Sequence, residues 1–99
     1  MNKYKHEKLL IKIVKENFKN GKGTEWGSLH PCCLSGSARF FKPAYSIFLI
    51  KKWLPSIDDA VEILNNGGSF ADIGCGYGHS TEMIAKEFPK SKVLGVDPH

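Results

Sequence analysis

The feature that most constrains the fold is the last third of the chain, residues 69–97. Its sequence predicts a strand, a glycine-rich turn, a helix and a second strand in direct succession. In such a unit of roughly 30 residues the two strands pair in parallel and the helix crosses between them. Val93, Leu94 and Val96 are apolar, as expected of a strand that is buried on both faces of a parallel sheet. The order predicts the α/β class and the opening of a doubly wound sheet. The predicted elements are the strand Ser69–Ile73, the turn Gly74–Gly78, the helix His79–Phe88 and the strand Lys92–Asp97.

The glycine turn predicts a bound polar ligand. Glycines at alternate positions allow a sharp bend at the strand end and leave no side chain between the backbone and a ligand. The helix that follows begins with backbone N–H groups that suit a carboxylate or phosphate. Dinucleotide-binding turns have the spacing G-x-G-x-x-G. Here the third glycine, Gly78, comes one residue earlier and His79 follows it, so the spacing argues against a nicotinamide-dependent oxidoreductase.

The pattern D-x-G-x-G-x-G, which runs from Asp72 to Gly78, resembles motif I of the class I S-adenosylmethionine-dependent methyltransferases. Asp97 ends the second predicted strand, where that family has an acid that binds the ribose hydroxyls of the cofactor. The resemblance implies a Rossmann-like methyltransferase domain with S-adenosyl-L-methionine as its cofactor. The cofactor-binding residues that it implies are Asp72, Gly74, Cys75, Gly76, Gly78 and Asp97.

Each of these side chains also has a structural interpretation. Asp72 could cap a loop or helix, and Asp97 could be a solvated residue at a strand end. Because the two acids flank one predicted ligand site, ligand binding is the favoured interpretation for both. Cys75 occupies a variable position of the family and is interpreted as a small filler, not a nucleophile. Direct contact of Tyr77 or His79 with the cofactor is left open.

The residues before this unit predict helices and one long loop. Leu9, Leu10, Ile13, Val14 and Phe18 recur at helical spacing, which favours an amphipathic helix whose apolar stripe faces a core. The predicted elements are a helix at Tyr4–Phe18, a long irregular connection at Gly21–Lys42, a helix from Pro43 to about Leu54, and a capping box at Ser56–Asp59 that opens a helix to about Leu64.

A second resemblance covers most of the chain. Trp26-Gly27, His30, Gly36, the run Arg39–Tyr45 and Trp53-Leu54-Pro55 are together similar to a bacterial methyltransferase group with a winged-helix-like N-terminal domain. Ala44 departs from the glycine that is usual in that group. The resemblance implies that this segment folds over the cofactor or lines the substrate pocket. The implied lid residues are Trp26, His30 and Tyr45, with simple packing of these aromatic rings as the alternative.

Composition and charge add few constraints. With 41% hydrophobic and 24% charged residues, the composition is that of an ordinary globular chain. The formal net charge is +4, and its lysines are interpreted as the solvated face of a helix. No recognition helix or basic patch interleaved with aromatic residues supports nucleic-acid binding. Three cysteines form no disulfide framework, and His30-Pro31-Cys32-Cys33 lacks the second ligand pair of a structural zinc site. No apolar run is long enough to span a membrane, and no signal peptide is recognised, so a cytoplasmic location is expected.

We therefore expect a helical N-terminal or linker segment at 1–66 and a truncated S-adenosylmethionine-binding methyltransferase domain at 67–99. The expected function is methyl transfer to an unidentified substrate, most simply a small molecule, with this chain supplying the cofactor-binding motif. A regulator that senses S-adenosylmethionine, or a non-catalytic fragment, is the alternative. No catalytic base and no oligomeric state can be assigned. The remaining strands are expected past His99, and the winged-helix-like part is expected before Met1.

Overall fold

The computed structural model describes residues 3–99 and places all helices before and between two parallel strands. The order confirms a mixed α/β arrangement that is compatible with the start of a Rossmann-like sheet. In chain order the elements are α1 (Lys3–Asn20), a 3-10 turn (Trp26–Ser28), α2 (Pro31–Ala44), a π-helical segment (Tyr45–Trp53), a second 3-10 turn (Leu54–Ser56), α3 (Ala60–Asn65), β1 (Ser69–Ile73), α4 (His79–Glu87) and β2 (Lys92–Val96).

The chain packs as two units. The first extends to Gly36 and includes His99, and the second is Ser37–Pro98. The second unit contains both strands and the helices that pack on them. These are units of packing, so the predicted domain boundary between residues 66 and 67 stays a prediction.

Helix α1 confirms the predicted first helix, although its apolar stripe does not face a core. The helix ends before Gly21, which has a φ of 73°, the left-handed conformation that commonly stops a helix. The Asn20 Oδ1 atom accepts a hydrogen bond from the Lys22 N–H at 3.0 Å. The prediction of a buried stripe is wrong because four of its five side chains are exposed, namely Leu9 (48%), Ile13 (39%), Val14 (42%) and Phe18 (90%), and Leu10 is only half-buried.

Helix α2 overturns the prediction of a long irregular loop over Gly21–Lys42. Pro31 opens the helix, where its missing N–H has no consequence, and the His30 Nδ1 atom accepts from the Cys32 N–H at 3.1 Å. This side-chain cap on a proline-initiated helix outweighs the turn-forming composition of the segment. Gly36 lies within the helix, where it costs only about 1 kcal/mol.

Pro43 lies inside α2, so the prediction that it begins a helix is wrong. Its ring nitrogen cannot donate to the carbonyl one turn earlier. The chain continues directly into the π-helical segment, where the Leu54 N–H bonds to the Leu49 carbonyl, five residues back. We attribute the change of hydrogen-bond register to the donor that Pro43 lacks.

The predicted capping box at Ser56–Asp59 is also wrong. The Ser56 hydroxyl donates to the Trp53 carbonyl at 2.6 Å and so completes the preceding turn. Asp59 precedes α3 in a left-handed conformation with a φ of 61°, and its side chain makes no capping hydrogen bond. Because the Ser56 hydroxyl bonds to the carbonyl of the preceding turn, it does not cap α3.

The strand–turn–helix–strand unit forms as predicted. Strands β1 and β2 pair in parallel, with Phe70 opposite Val93 and Asp72 opposite Gly95. Helix α4 packs on β2, α3 contacts β1, and the π-helical segment packs on α4. The core between them consists of Leu54, Leu64, Ile84 and Phe88, which are at most 4% exposed, and Phe70 and Val93 pack against it.

The other face of the strand pair is open. Ile73 is 76% exposed, Leu94 61% and Val96 44%, so the prediction that the second strand is buried on both faces is wrong for this chain. Within the described residues, no helix combines the length and apolar character that a membrane crossing needs.

Candidate functional site

The glycine turn between β1 and α4 uses the conformation that only glycine adopts readily. Gly74, Gly76 and Gly78 have φ values of 76°, 56° and 80°, in the left-handed region that costs other residues about 1–2 kcal/mol each. A β-carbon built on any of the three would meet no heavy atom within 4 Å. The glycines are therefore required by backbone conformation, and the space above them is open to a ligand.

The end of β2 holds the turn in place. The N–H groups of Gly74 and Cys75 both donate to the Val96 carbonyl, at 2.7 and 3.2 Å. The Gly76 N–H donates to the Asp97 Oδ2 atom at 2.7 Å. Three successive N–H groups therefore bond to the last residue of β2 and to the residue after it. The Gly78 N–H donates to the Cys75 carbonyl at 2.9 Å and closes the turn.

Asp72 lies at the end of β1 and is partly buried. Its Oδ2 atom accepts two hydrogen bonds from the first turn of α4, from the Ser80 hydroxyl at 2.6 Å and from the Thr81 hydroxyl at 2.8 Å. Hydrogen bonds to an ionised acceptor are shorter and stronger than neutral ones. The carboxylate thus joins the strand to the helix across the turn.

Gly95 supplies the space in which this contact forms. It lies opposite Asp72 in the strand pair. A β-carbon on Gly95 would lie 2.9 Å from the Thr81 Oγ1 atom, 3.1 Å from its Cγ2 atom and 3.0 Å from the Cys75 Sγ atom. Thr81 and Cys75 therefore occupy the volume that a side chain at residue 95 would take, which suits the interpretation of Cys75 as a filler.

The two predicted carboxylates meet the turn from its two sides. Asp72 lies at the carboxyl end of β1, and Asp97 directly follows β2. In a parallel sheet the carboxyl ends of neighbouring strands share one edge, where ligands of open α/β sheets bind. The structure brings together Asp72, Gly74, Cys75, Gly76, Gly78 and Asp97; their contact with a cofactor stays a prediction.

The predicted lid residues are distributed over both units. Trp26 and His30 belong to the first unit and Tyr45 to the second. The Tyr45 ring stacks on Phe41 with centroids 6.3 Å apart and meets Trp53 edge-on at 6.2 Å. These contacts agree with the packing interpretation of Tyr45, and the lid role of all three residues stays a prediction. Tyr77 is 62% exposed in the glycine turn, and His79 begins α4.

Charge around the start of α4 is mixed. Glu82 accepts a hydrogen bond from Lys86, with a nitrogen–oxygen distance of 2.6 Å. That hydrogen bond and the Lys86 charge lower the pKa of the Glu82 carboxyl, with smaller effects from Lys42 and His79.

The arrangement suits a ligand that carries positive charge and hydroxyl groups. Two carboxylates flank an open glycine backbone, and the first N–H groups of α4 have no partner within the helix. S-adenosylmethionine has a cationic sulfonium, an ammonium, a carboxylate and two ribose hydroxyls, and each of these groups has a complementary partner type among these residues. The residues present therefore fit the cofactor that the motif implies.

Among the described residues, neither a metal site nor the hollow at the amino end of β1 offers an alternative ligand site. Within residues 3–99, no group of three histidine, cysteine or acidic side chains is placed to hold a metal ion. An open hollow is lined by Asp59, Glu62, Ile63, Asn66, Gly67 and Gly68. It lies at the amino end of β1, whereas ligands of such sheets bind at the carboxyl end.

Sequence reasoning missed Ser80, Thr81 and Gly95 as parts of the site. The available signal was the pair of hydroxyl residues, Ser80 and Thr81, in the first turn of the predicted helix. That helix begins directly after the glycine turn, and Asp72 precedes the turn on its other side. Gly95 gave a weaker signal, as a glycine inside a predicted strand, which often marks a close approach of other atoms.

Comparison with known proteins gives partial matches to methyltransferases. A trans-aconitate 2-methyltransferase from Rhodopseudomonas palustris strain BisB18 is 39% identical over 54 residues, which is 54% of this chain and 21% of the relative. The trans-aconitate 2-methyltransferase of Afipia carboxidovorans is 56% identical over 27 residues, 27% of this chain and 10% of the relative. No protein-family model matches the chain.

The chain thus spans about a tenth to a fifth of the length of these curated relatives. The similarity is confined to short stretches, and both relatives carry a methyltransferase name. The comparisons support a methyltransferase in general terms.

Proposed function

We propose that this chain supplies the S-adenosylmethionine-binding part of a methyltransferase that acts on a small molecule. The observation that carries the proposal is the open glycine turn, held by β2 and flanked by the carboxylates of Asp72 and Asp97. The names of the partial relatives support the same reaction class.

Each part of the turn has a role in this proposal. The Asp97 carboxylate, which receives the Gly76 N–H, accepts hydrogen bonds from the ribose hydroxyls, as the resemblance to the methyltransferase family implies. Gly74, Gly76 and Gly78 let the cofactor approach the backbone. Asp72 places negative charge near the cationic end of the cofactor. When bound, S-adenosylmethionine supplies an electrophilic methyl group; the chain contributes binding and orientation.

The methyl acceptor is the least constrained part of the proposal. The partial relatives are named for trans-aconitate, a small carboxylic acid, so we propose it as the first acceptor to assay. The cytoplasmic location and the relation to methyltransferases with a winged-helix-like N-terminal domain are further proposals that rest on the sequence.

The test is a calorimetric titration of S-adenosylhomocysteine into the full-length protein that contains this chain, with NADH as the control ligand. We expect saturable binding of S-adenosylhomocysteine and no binding of NADH. Asp97→Ala should weaken the binding by about 1–3 kcal/mol, the scale of lost hydrogen bonds to a charged group. Asp58→Ala is the matched control, because Asp58 is an exposed acid before α3.

Binding of NADH instead would show that the interpretation of the glycine spacing is wrong. Binding of neither ligand would refute the proposed function. Binding of S-adenosylhomocysteine without methyl transfer to any acceptor would favour a protein that senses the cofactor.

A further inference from the structure

Two hydroxyl groups at the start of α4 converge on one oxygen of Asp72. Ser80 Oγ and Thr81 Oγ1 donate to Oδ2 at 2.6 and 2.8 Å. Successive residues of a helix point about 100° apart, so two neighbouring side chains rarely meet at the same atom. They do so here because the acceptor, on the strand before the turn, lies within hydrogen-bond distance of both hydroxyls.

This pair of bonds determines the orientation of the carboxylate. A carboxylate held at a single donor can rotate about its last side-chain torsion, which is broad. Two donors on Oδ2 remove that freedom, and they leave Oδ1 as the oxygen that can bind a ligand. The Asp72 side chain is partly buried, which strengthens hydrogen bonds relative to bulk water.

The space for the pair is built into the neighbouring strand. Thr81 fits only because residue 95 has no side chain, since a β-carbon there would lie 2.9 Å from Oγ1. Three elements therefore define one arrangement: Asp72 on β1, Ser80 and Thr81 on α4, and Gly95 on β2.

We propose that Ser80 and Thr81 are positioning residues, which hold the Asp72 carboxylate so that its second oxygen faces the cationic amino-acid end of the cofactor. This inference rests on the proposed function and goes beyond it, because it assigns a role to two residues outside the glycine motif. Neither hydroxyl is expected to contact the cofactor itself.

The test compares two ligands of the full-length protein by calorimetry. S-adenosylhomocysteine carries the ammonium group that a positioned carboxylate would bind, whereas 5′-methylthioadenosine keeps the nucleoside and lacks the amino-acid part. The variants are Ser80→Ala, Thr81→Val and the double variant. Thr81→Ser keeps the hydroxyl. Ser91→Ala removes a hydroxyl in the segment between α4 and β2, which donates to the Phe88 carbonyl.

In the double variant we expect affinity for S-adenosylhomocysteine to fall about tenfold, which corresponds to about 1.4 kcal/mol. Affinity for 5′-methylthioadenosine should stay within about twofold, a change of less than 0.5 kcal/mol. Thr81→Ser and Ser91→Ala should bind both ligands as the unchanged protein does. If the double variant does not fold, Thr81→Val alone decides, with an expected loss of about threefold that is selective for S-adenosylhomocysteine.

Two results would overturn the inference while leaving the proposed function intact. One is an unchanged affinity for S-adenosylhomocysteine in the double variant. The other is equal weakening of both ligands, which would mean that the hydroxyls only hold the helix in place. Failure of the unchanged protein to bind S-adenosylhomocysteine would refute the proposed function and this inference together.

Discussion

Replacing Gly95 by alanine tests whether the contact between the two strands and α4 is as tight as the structure indicates. The new β-carbon would lie 2.9 Å from Thr81 Oγ1 and 3.0 Å from Cys75 Sγ, several tenths of an ångström inside normal contact distance. Inserting a methyl group into a packed site costs about 1–3 kcal/mol. Alanine is better than glycine in a strand interior by about 0.5–1 kcal/mol. The difference between the midpoints of these two ranges gives a net loss of unfolding free energy of about 1 kcal/mol.

Thermal unfolding followed by circular dichroism measures this loss. One kcal/mol lowers the Tm of a domain of this size by about 4–8 °C, so a drop of about 4–8 °C is expected. Gly36→Ala is the matched control, because Gly36 lies in α2 with no heavy atom within 4 Å of the added carbon. It should stabilise the helix by about 0.5–1 kcal/mol.

A double-mutant cycle identifies the clashing partner. In a Thr81→Ala background two of the three close contacts of the new carbon are gone, so Gly95→Ala should cost less than it does alone. An equal cost in both backgrounds, or a Gly95→Ala variant as stable as the unchanged protein, would refute the packing argument.

Three further predictions concern other parts of the second unit. Gly74→Ala should lower the unfolding free energy by about 1–2 kcal/mol through its φ of 76°, and Gly74→Asn by less, as measured by urea unfolding; equal losses would contradict the conformational argument. Ile84→Ala should cost about 2–5 kcal/mol because Ile84 is 1% exposed, whereas Leu94→Ala at an exposed position should cost far less in the same assay. In an NMR titration the Glu82 pKa should lie below the ordinary glutamate range and rise toward it in Lys86→Met. Since the folded-state pKa is lowered, the contribution of Glu82 to stability is present above the ordinary pKa and is lost as the pH falls through the folded-state value; an unchanged pKa in Lys86→Met would contradict the pairing.

Sequence reasoning succeeded where several local signals agreed. The two strands, the glycine turn and α4 were predicted almost to the residue. The apolar pattern of the strand, the spacing of the glycines and the order of the elements all indicated the same arrangement. It failed between Gly21 and Lys42, where turn-forming composition concealed a helix that is capped by a histidine ring nitrogen. It also failed at Ser56, whose hydroxyl bonds to the preceding turn instead of opening the next helix.

The candidate site was only half visible in the sequence. Asp72, the three glycines and Asp97 follow a pattern that can be recognised by spacing. The bonds from Ser80 and Thr81 depend on how far α4 tilts toward β1, and the role of Gly95 depends on the register of β2. Both are properties of the packing between elements, and a one-dimensional pattern does not contain them.

The hydrogen bonds between the glycine turn and the end of β2 have a consequence for folding. Gly74, Cys75 and Gly76 donate to Val96 and Asp97, which follow them by about 20 residues along the chain. The shape of the turn is therefore not encoded by its glycines alone, because it requires closure of a loop that contains all of α4, with the entropic cost that such closure carries. We therefore expect the turn to reach its folded shape late in folding, only after the second strand has paired with the first.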